Sequence, residues 1–129
     1  MTQQEIQERN EKIAIMLGWK TISQLEEINE ENEHLKDCYF LPHTELVFWS
    51  VENLKFHSDW NWLMEAVEFI QKELIKNNDE FCIEFYKGLP GESMTFVSYA
   101  EQNVESKSSK EAVFIAVSDF AKLYNERKL

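Results

Sequence analysis

The sequence predicts a small α+β fold, an α-β-α layered sandwich in which a short antiparallel sheet, with a hairpin at 80–99, is packed by about three helices. Three observations lead there. Apolar residues recur at helical spacing near the N-terminus, after Asp59 and after Ser109. Phe81, Ile83 and Phe85 alternate with Cys82, Glu84 and Tyr86, and a second alternating run covers 94–99. Between these runs, Gly88-Leu89-Pro90-Gly91 supplies turn residues. With 129 residues, 43% of them apolar, the chain has the size and composition of one domain, 1–129, with its own core.

Ile6, Ile13, Ala14 and Leu17 set out a first helix, and Gly18 follows where a left-handed residue would end it. An acidic stretch at 26–33 comes next, introduced by Ser23-Gln24-Leu25-Glu26, which has the spacing of a capping box and predicts a short or frayed helix. Leu46-Val47-Phe48-Trp49, beyond Pro42, reads as either a short strand or a buried irregular run, since periodicity cannot separate the two at this length.

The strongest helix starts at Ser58-Asp59, where either side chain can cap it, and runs to about Asn77. Trp60, Leu63, Val67, Ile70 and Leu74 form its stripe, flanked by Met64 and Ile75 on one side and by Trp62, Ala66 and Phe69 on the other. That arc is wider than one sheet face needs. A last helix follows the capping box Ser108-Ser109-Lys110-Glu111 and carries Ala112, Val113, Ala116, Val117, Phe120 and Leu123. The expected core is Phe81, Ile83, Phe85, Leu63, Val67, Ile70, Val113, Ala116 and Phe120.

A net charge of −11 argues against sequence-independent binding to nucleic acid and against anionic membrane surfaces, and favours basic partners. Residues 1–9 are polar and lack the basic and apolar regions of a signal peptide, and no apolar run approaches membrane-spanning length, so a cytoplasmic protein is expected. The two cysteines, Cys38 and Cys82, fit free thiols in a reducing compartment better than a disulfide framework.

Three blocks of sequence carry a likeness to a known group: Asn10-x-x-Ile13-Ala14-x-x-Leu17-Gly18-Trp19; Phe56-His57-Ser58-Asp59-Trp60-Asn61-Trp62-Leu63-Met64; and Glu111-Ala112-Val113 leading to Tyr124-Asn125. In these the chain resembles the uncharacterised phage and prophage proteins grouped around the phage ABA sandwich domain. The resemblance implies an α-β-α layered domain. It implies no chemistry, because the matching residues pack and cap.

His34, Cys38 and His43 are close in sequence and are donor types that bind zinc, but their spacing matches no standard knuckle and no further pair closes a site, so no metal or other cofactor is expected. His57 near Asp59 has the residue types of a carboxylate-oriented base, yet a helix N-terminus selects Ser and Asp for capping alone, and no nucleophile accompanies it. Three glycines in the whole chain exclude a P-loop and a dinucleotide fingerprint. No catalytic residue is assigned.

Trp60 and Trp62 diverge by about 200° on a helix, so one packs inward and the other needs a different cover. Trp60, Trp62, Met64 and Phe69 are therefore the candidate interface. The expected function is a noncatalytic phage or mobile-element accessory protein acting through contacts with a protein partner or as a homodimer, with no direct nucleic-acid binding. One alternative is an acidic inhibitor that mimics nucleic acid, with 26–33 as its charged surface. The other is a small metal- or histidine-dependent enzyme.

Overall fold

Thr2 opens the first helix by accepting a bond on its hydroxyl from the Glu5 amide at 3.1 Å. In the computed structural model, which describes residues 1–42, 47–89 and 91–128, this helix α1 spans Gln3–Met16. Its end is a Schellman motif: Gly18 takes φ +88°, its amide reaches Ile15 O at 3.0 Å, and the Trp19 amide reaches Ala14 O at 3.0 Å. Gly18 thus performs the stop expected of it.

The chain forms two compact units, one of residues 1–54 with the end of the last helix from Ala121, the other of Lys55–Phe120. In the first unit a small antiparallel sheet of order β1-β2-β3 is built from β1 (Lys20–Thr21), β2 (Cys38–Phe40) and β3 (Phe48–Ser50). Phe48 lies opposite Phe40, their ring centroids 5.2 Å apart. Strands of two or three residues are too short to display alternation, so β1 and β2 leave no periodic trace in the sequence. The strand alternative for 46–49 is met by β3; Leu46 itself lies outside the described residues.

The capping box sits two residues earlier than expected. Helix α2 is the single turn Ile22–Leu25, capped by Thr21 with Gln24, whose Oε1 accepts from the Thr21 amide at 2.9 Å. Ser23 and Glu26 fit the box as a pattern, but Thr21 is the residue with extended backbone, which a cap needs. The acidic stretch 26–33 is not helical apart from the start of a 3-10 turn at Glu33–Leu35. Asparagines organise it instead. Asn29 Oδ1 accepts from the Glu31 and Asn32 amides at 2.8 and 3.2 Å, and Asn32 Oδ1 accepts from the Asn29 amide at 2.7 Å. The Asn32 amide group donates to Glu26 Oε1 and Glu27 O, and its side chain is buried.

The second unit begins with helix α3, Trp60–Ile75, whose cap is Asp59: Oδ1 accepts from the Asn61 and Trp62 amides at 2.8 and 3.3 Å. Asn78, at φ +57°, closes the other end, with the Asp79 amide reaching Leu74 O at 3.0 Å. A three-stranded antiparallel sheet follows, with β5 (Ser93–Tyr99) at its centre between β4 (Cys82–Lys87) and β6 (Gln102–Ser106). The expected hairpin is β4–β5; Pro90 of its loop lies outside the described residues.

Strand β6 was not legible in the sequence. Ala100 and Glu101 form its two-residue connection, both at positive φ (42° and 66°), the type I′ geometry that ordinarily selects asparagine and glycine. Helix α4, Ser109–Lys128, starts where expected, Ser108 Oγ accepting from the Glu111 amide at 3.2 Å.

The buried face of this sheet is Thr95, Val97 and Tyr99 on β5. Tyr99 stacks on Phe81 with centroids 5.8 Å apart and meets the edge of Phe120 on α4 at 5.7 Å. Thr95 bonds Ser109 through their hydroxyls at 2.7 Å, and the Phe81 amide donates to Gln71 of α3 at 2.7 Å. Most of the expected core is in place: Phe81, Leu63, Val67, Ile70, Val113 and Ala116 are buried, while Ile83 and Phe120 are half-buried.

Phe85 is the correction, since it is 71% exposed. Its alternation phase is right, for it lies opposite buried Thr95. It belongs, however, to an edge strand at the loop end of the hairpin, and alternation reports which face a side chain is on without reporting how far the cover extends. The architecture is therefore α+β, with four helices, one of them a single turn, and two small antiparallel sheets among the described residues.

Candidate functional site

Helix geometry sorts the four candidate interface residues into two pairs. At about 100° per residue, Leu63, Ala66, Val67, Ile70 and Leu74 occupy one arc of α3 and are all buried. Trp60, Met64 and Ile75 lie together within about 60° on the adjoining arc, and they are 38%, 39% and 58% exposed. Trp62 and Phe69 fall on the other margin and are half-buried, the Trp62 indole meeting Phe56 edge-on at 5.2 Å. Trp60 and Met64 therefore share an open face, and Trp62 and Phe69 do not join it. Trp60 belongs to the apolar stripe by phase but, at the first position of the helix, lies at the rim of the core.

Carboxylates border that face. Asn61, Glu65 and Glu68 are exposed on the same side of the helix, with Lys72 following a turn beyond Glu68. The N-terminal half of the face thus presents a tryptophan, a large contact residue, and a methionine, an adaptable one, beside acidic groups.

His57 lies in the turn before α3, its ring edge-on to Phe114 at 6.0 Å, and burial pushes its pKa below the ordinary imidazole value. Asp59 spends Oδ1 on the helix cap. His34 is exposed in the 3-10 turn, Cys38 is buried in β2, and His43 lies outside the described residues. Among the described residues no group of three His, Cys, Asp or Glu side chains is placed to hold a metal ion.

Both cysteines are free thiols. Burial, then Asp37, pushes the Cys38 thiol up, and a hydrogen bond to Glu80, with further acidic neighbours, does the same to Cys82. Each is held as a thiol, the weak form of the nucleophile. No helix among the described residues is long and apolar enough to cross a membrane.

No known family, no curated protein and no solved structure matches this chain.

One apolar feature escaped the sequence reading. Phe85 and Leu89 are open to solvent at the loop end of the β4–β5 hairpin, with Tyr86 partly exposed between them. The available sign was their closeness to Gly88 and Gly91, since residues flanking a loop outrun the helices that cover a sheet.

Proposed function

We propose that this protein is a noncatalytic phage or mobile-element accessory protein that acts by binding a basic protein partner on the open face of α3. The observation that carries the reading is the pairing of Trp60 with Met64, one turn apart and both solvent-facing, beside Glu65 and Glu68. Apolar anchors rimmed by carboxylates suit a partner that offers an apolar side chain ringed by lysine or arginine. The chain's charge of −11 would speed encounter with such a partner. The noncatalytic part of the reading rests on the use of Asp59 as a cap and on two thiols held protonated. The phage or mobile-element part rests on the three sequence blocks that resemble the phage ABA sandwich domain.

The test compares the wild type with the Trp60→Ala/Met64→Ala variant as bait in host extract, followed by titration of each purified captured protein. The expected result is a basic protein retained by the wild type alone, binding the purified wild type with an affinity that falls as salt rises. Equal retention by both baits would overturn the reading, as would an acidic or salt-insensitive partner.

A further inference from the structure

We infer that the solvent face of the β4-β5-β6 sheet docks an arginine-bearing segment of a basic protein, the guanidinium entering a recess beside the β5–β6 turn. The two faces of this sheet are unlike. Thr95, Val97 and Tyr99 are buried on one, where Thr95 meets Ser109 and Tyr99 meets Phe120 of α4. Met94, Phe96 and Ser98 alternate onto the other and are half-buried, with exposed Glu84 and Tyr86 of β4 and Asn103 and Glu105 of β6 beside them.

Strand register sets carboxylates around an aromatic ring. Glu84 lies opposite Phe96 on β4, and Glu105 lies opposite it on β6. Side chains directly across a ladder are about 5 Å apart, so one cation over the ring reaches both acids. Tyr86 extends across β5 to hydrogen-bond Glu105, adding a second ring to this face. Toward the turn the face opens into a cavity of about 320 Å³, where Phe96, Ser98 and Asn103 meet Asp79, Glu80 and Glu101.

Charge selects a basic occupant. Among the described residues, none of Asp79, Glu80, Glu84, Glu101 and Glu105 forms an ion pair, with Lys72 of α3 or with any other cation. The lysines nearest in the chain are engaged or turned away. Lys76 is bonded to Glu73 at 3.0 Å, Lys107 is bonded to Glu92 at 2.8 Å at the far end of the sheet, and Lys87 alternates onto the opposite face with Phe85. A second copy of this chain, itself of net charge −11, is repelled from such a face, while a basic segment is drawn to it.

Geometry narrows the cation to a guanidinium. Asp79, Glu80, Cys82 and Glu101 border one cavity, yet among the described residues no three His, Cys, Asp or Glu side chains are placed to hold a metal ion. A point charge needs convergent ligands, whereas a guanidinium spreads five donors in one plane and stacks on aromatic rings, so it can serve acids that stand apart. Glu101 fits this use. It holds left-handed backbone at φ +66°, where glycine would relieve the strain, and its side chain lines the cavity.

Amide NMR of the isotope-labelled full chain, titrated with the acetylated peptide Gly-Arg-Gly-Arg-Gly and with its lysine and citrulline counterparts, tests this. The arginine peptide should shift the amides of Cys82, Glu84, Phe96, Ser98 and Asn103, and should bind more tightly than the lysine peptide and about tenfold more tightly than the citrulline one. Glu84→Gln/Glu105→Gln, at two exposed positions, should weaken binding about tenfold without lowering the thermal midpoint. Glu101→Gly should weaken binding while holding or raising the midpoint, which separates loss of the site from loss of the fold. No shifts at millimolar peptide, equal binding of the lysine peptide, or shifts centred on 26–33 overturn the proposal. So does loss of binding in Trp60→Ala/Met64→Ala, which would place the peptide on α3. Because the site uses no residue of α3, its failure leaves the partner-binding reading standing, and the reverse also holds.

Discussion

Phe85 and Thr95 lie directly opposite each other across the β4–β5 hairpin, yet the threonine is buried and the phenylalanine is open to solvent. Thr95 is on the central strand, tied to the start of α4 through Ser109, while Phe85 is on the edge. Stability should follow burial and not hydrophobicity alone. Phe85→Ala is expected to cost under about 1 kcal/mol, whereas Phe81→Ala, which removes a buried ring stacked on Tyr99, should cost about 3–5 kcal/mol. Urea denaturation of the two variants checks the contrast, and similar midpoints would contradict it. Ile70→Ala, at a position with no exposure, belongs with the second class, at about 2–5 kcal/mol.

Ala100 and Glu101 hold left-handed backbone that costs a residue with a Cβ about 1–2 kcal/mol. Replacing Glu101 with glycine removes that penalty at one position, so Glu101→Gly should raise the thermal midpoint. A gain of about 1 kcal/mol is expected, and a lowered midpoint would mean that the side chain makes a compensating contact.

Asn32 holds the acidic loop from within, spending its amide group on Glu26 and Glu27 and its carbonyl on Asn29. Asn32→Ala should cost about 1–3 kcal/mol by stripping buried partners. Asn32→Asp should be worse than alanine at neutral pH, because it sets a carboxylate beside Glu26. Chemical denaturation and hydrogen exchange over 26–33 report both effects, and unchanged exchange would show that the asparagine does not organise the loop.

Half-buried His57 and buried Tyr99 predict opposite pH dependences. The His57 pKa is lowered by burial, so the folded state binds fewer protons than the unfolded state once pH falls below the ordinary imidazole value of about 6.5. Its contribution to stability is present above that pH and is lost as acid drives through the lower folded pKa. Tyr99 is pushed up to about 12, first by burial and then by Asp119. Its contribution is intact below the ordinary tyrosine value of about 10 and is lost as pH rises toward 12. Melting curves of His57→Gln should therefore lose less stability than wild type between neutral pH and about 5, and Tyr99→Phe should lose less above about 10. Parallel wild-type and variant curves would refute either assignment.

What the sequence determined by itself is local. The stop at Gly18, the caps at Asp59 and Ser108, the buried arc of α3 from Leu63 to Leu74 and the alternation of β4 and β5 are each encoded within a few neighbouring residues, because backbone sterics and side-chain spacing act at that range. The shift of the α2 capping box from Ser23 to Thr21 marks the resolution of that code, since a Thr and a Ser two residues apart offer the same oxygen and only the backbone decides which is used. The tertiary structure alone decided the rest. Strands β1, β2 and β6 exist because partners pair with them, the first two being too short for a pattern and the third following a turn without asparagine or glycine. It also decided which apolar side chains stay uncovered: Trp60 and Met64 share the periodicity of a core helix, and Phe85 that of a core strand. Periodicity assigns a side chain to a face, while exposure depends on how far the neighbouring elements reach across it.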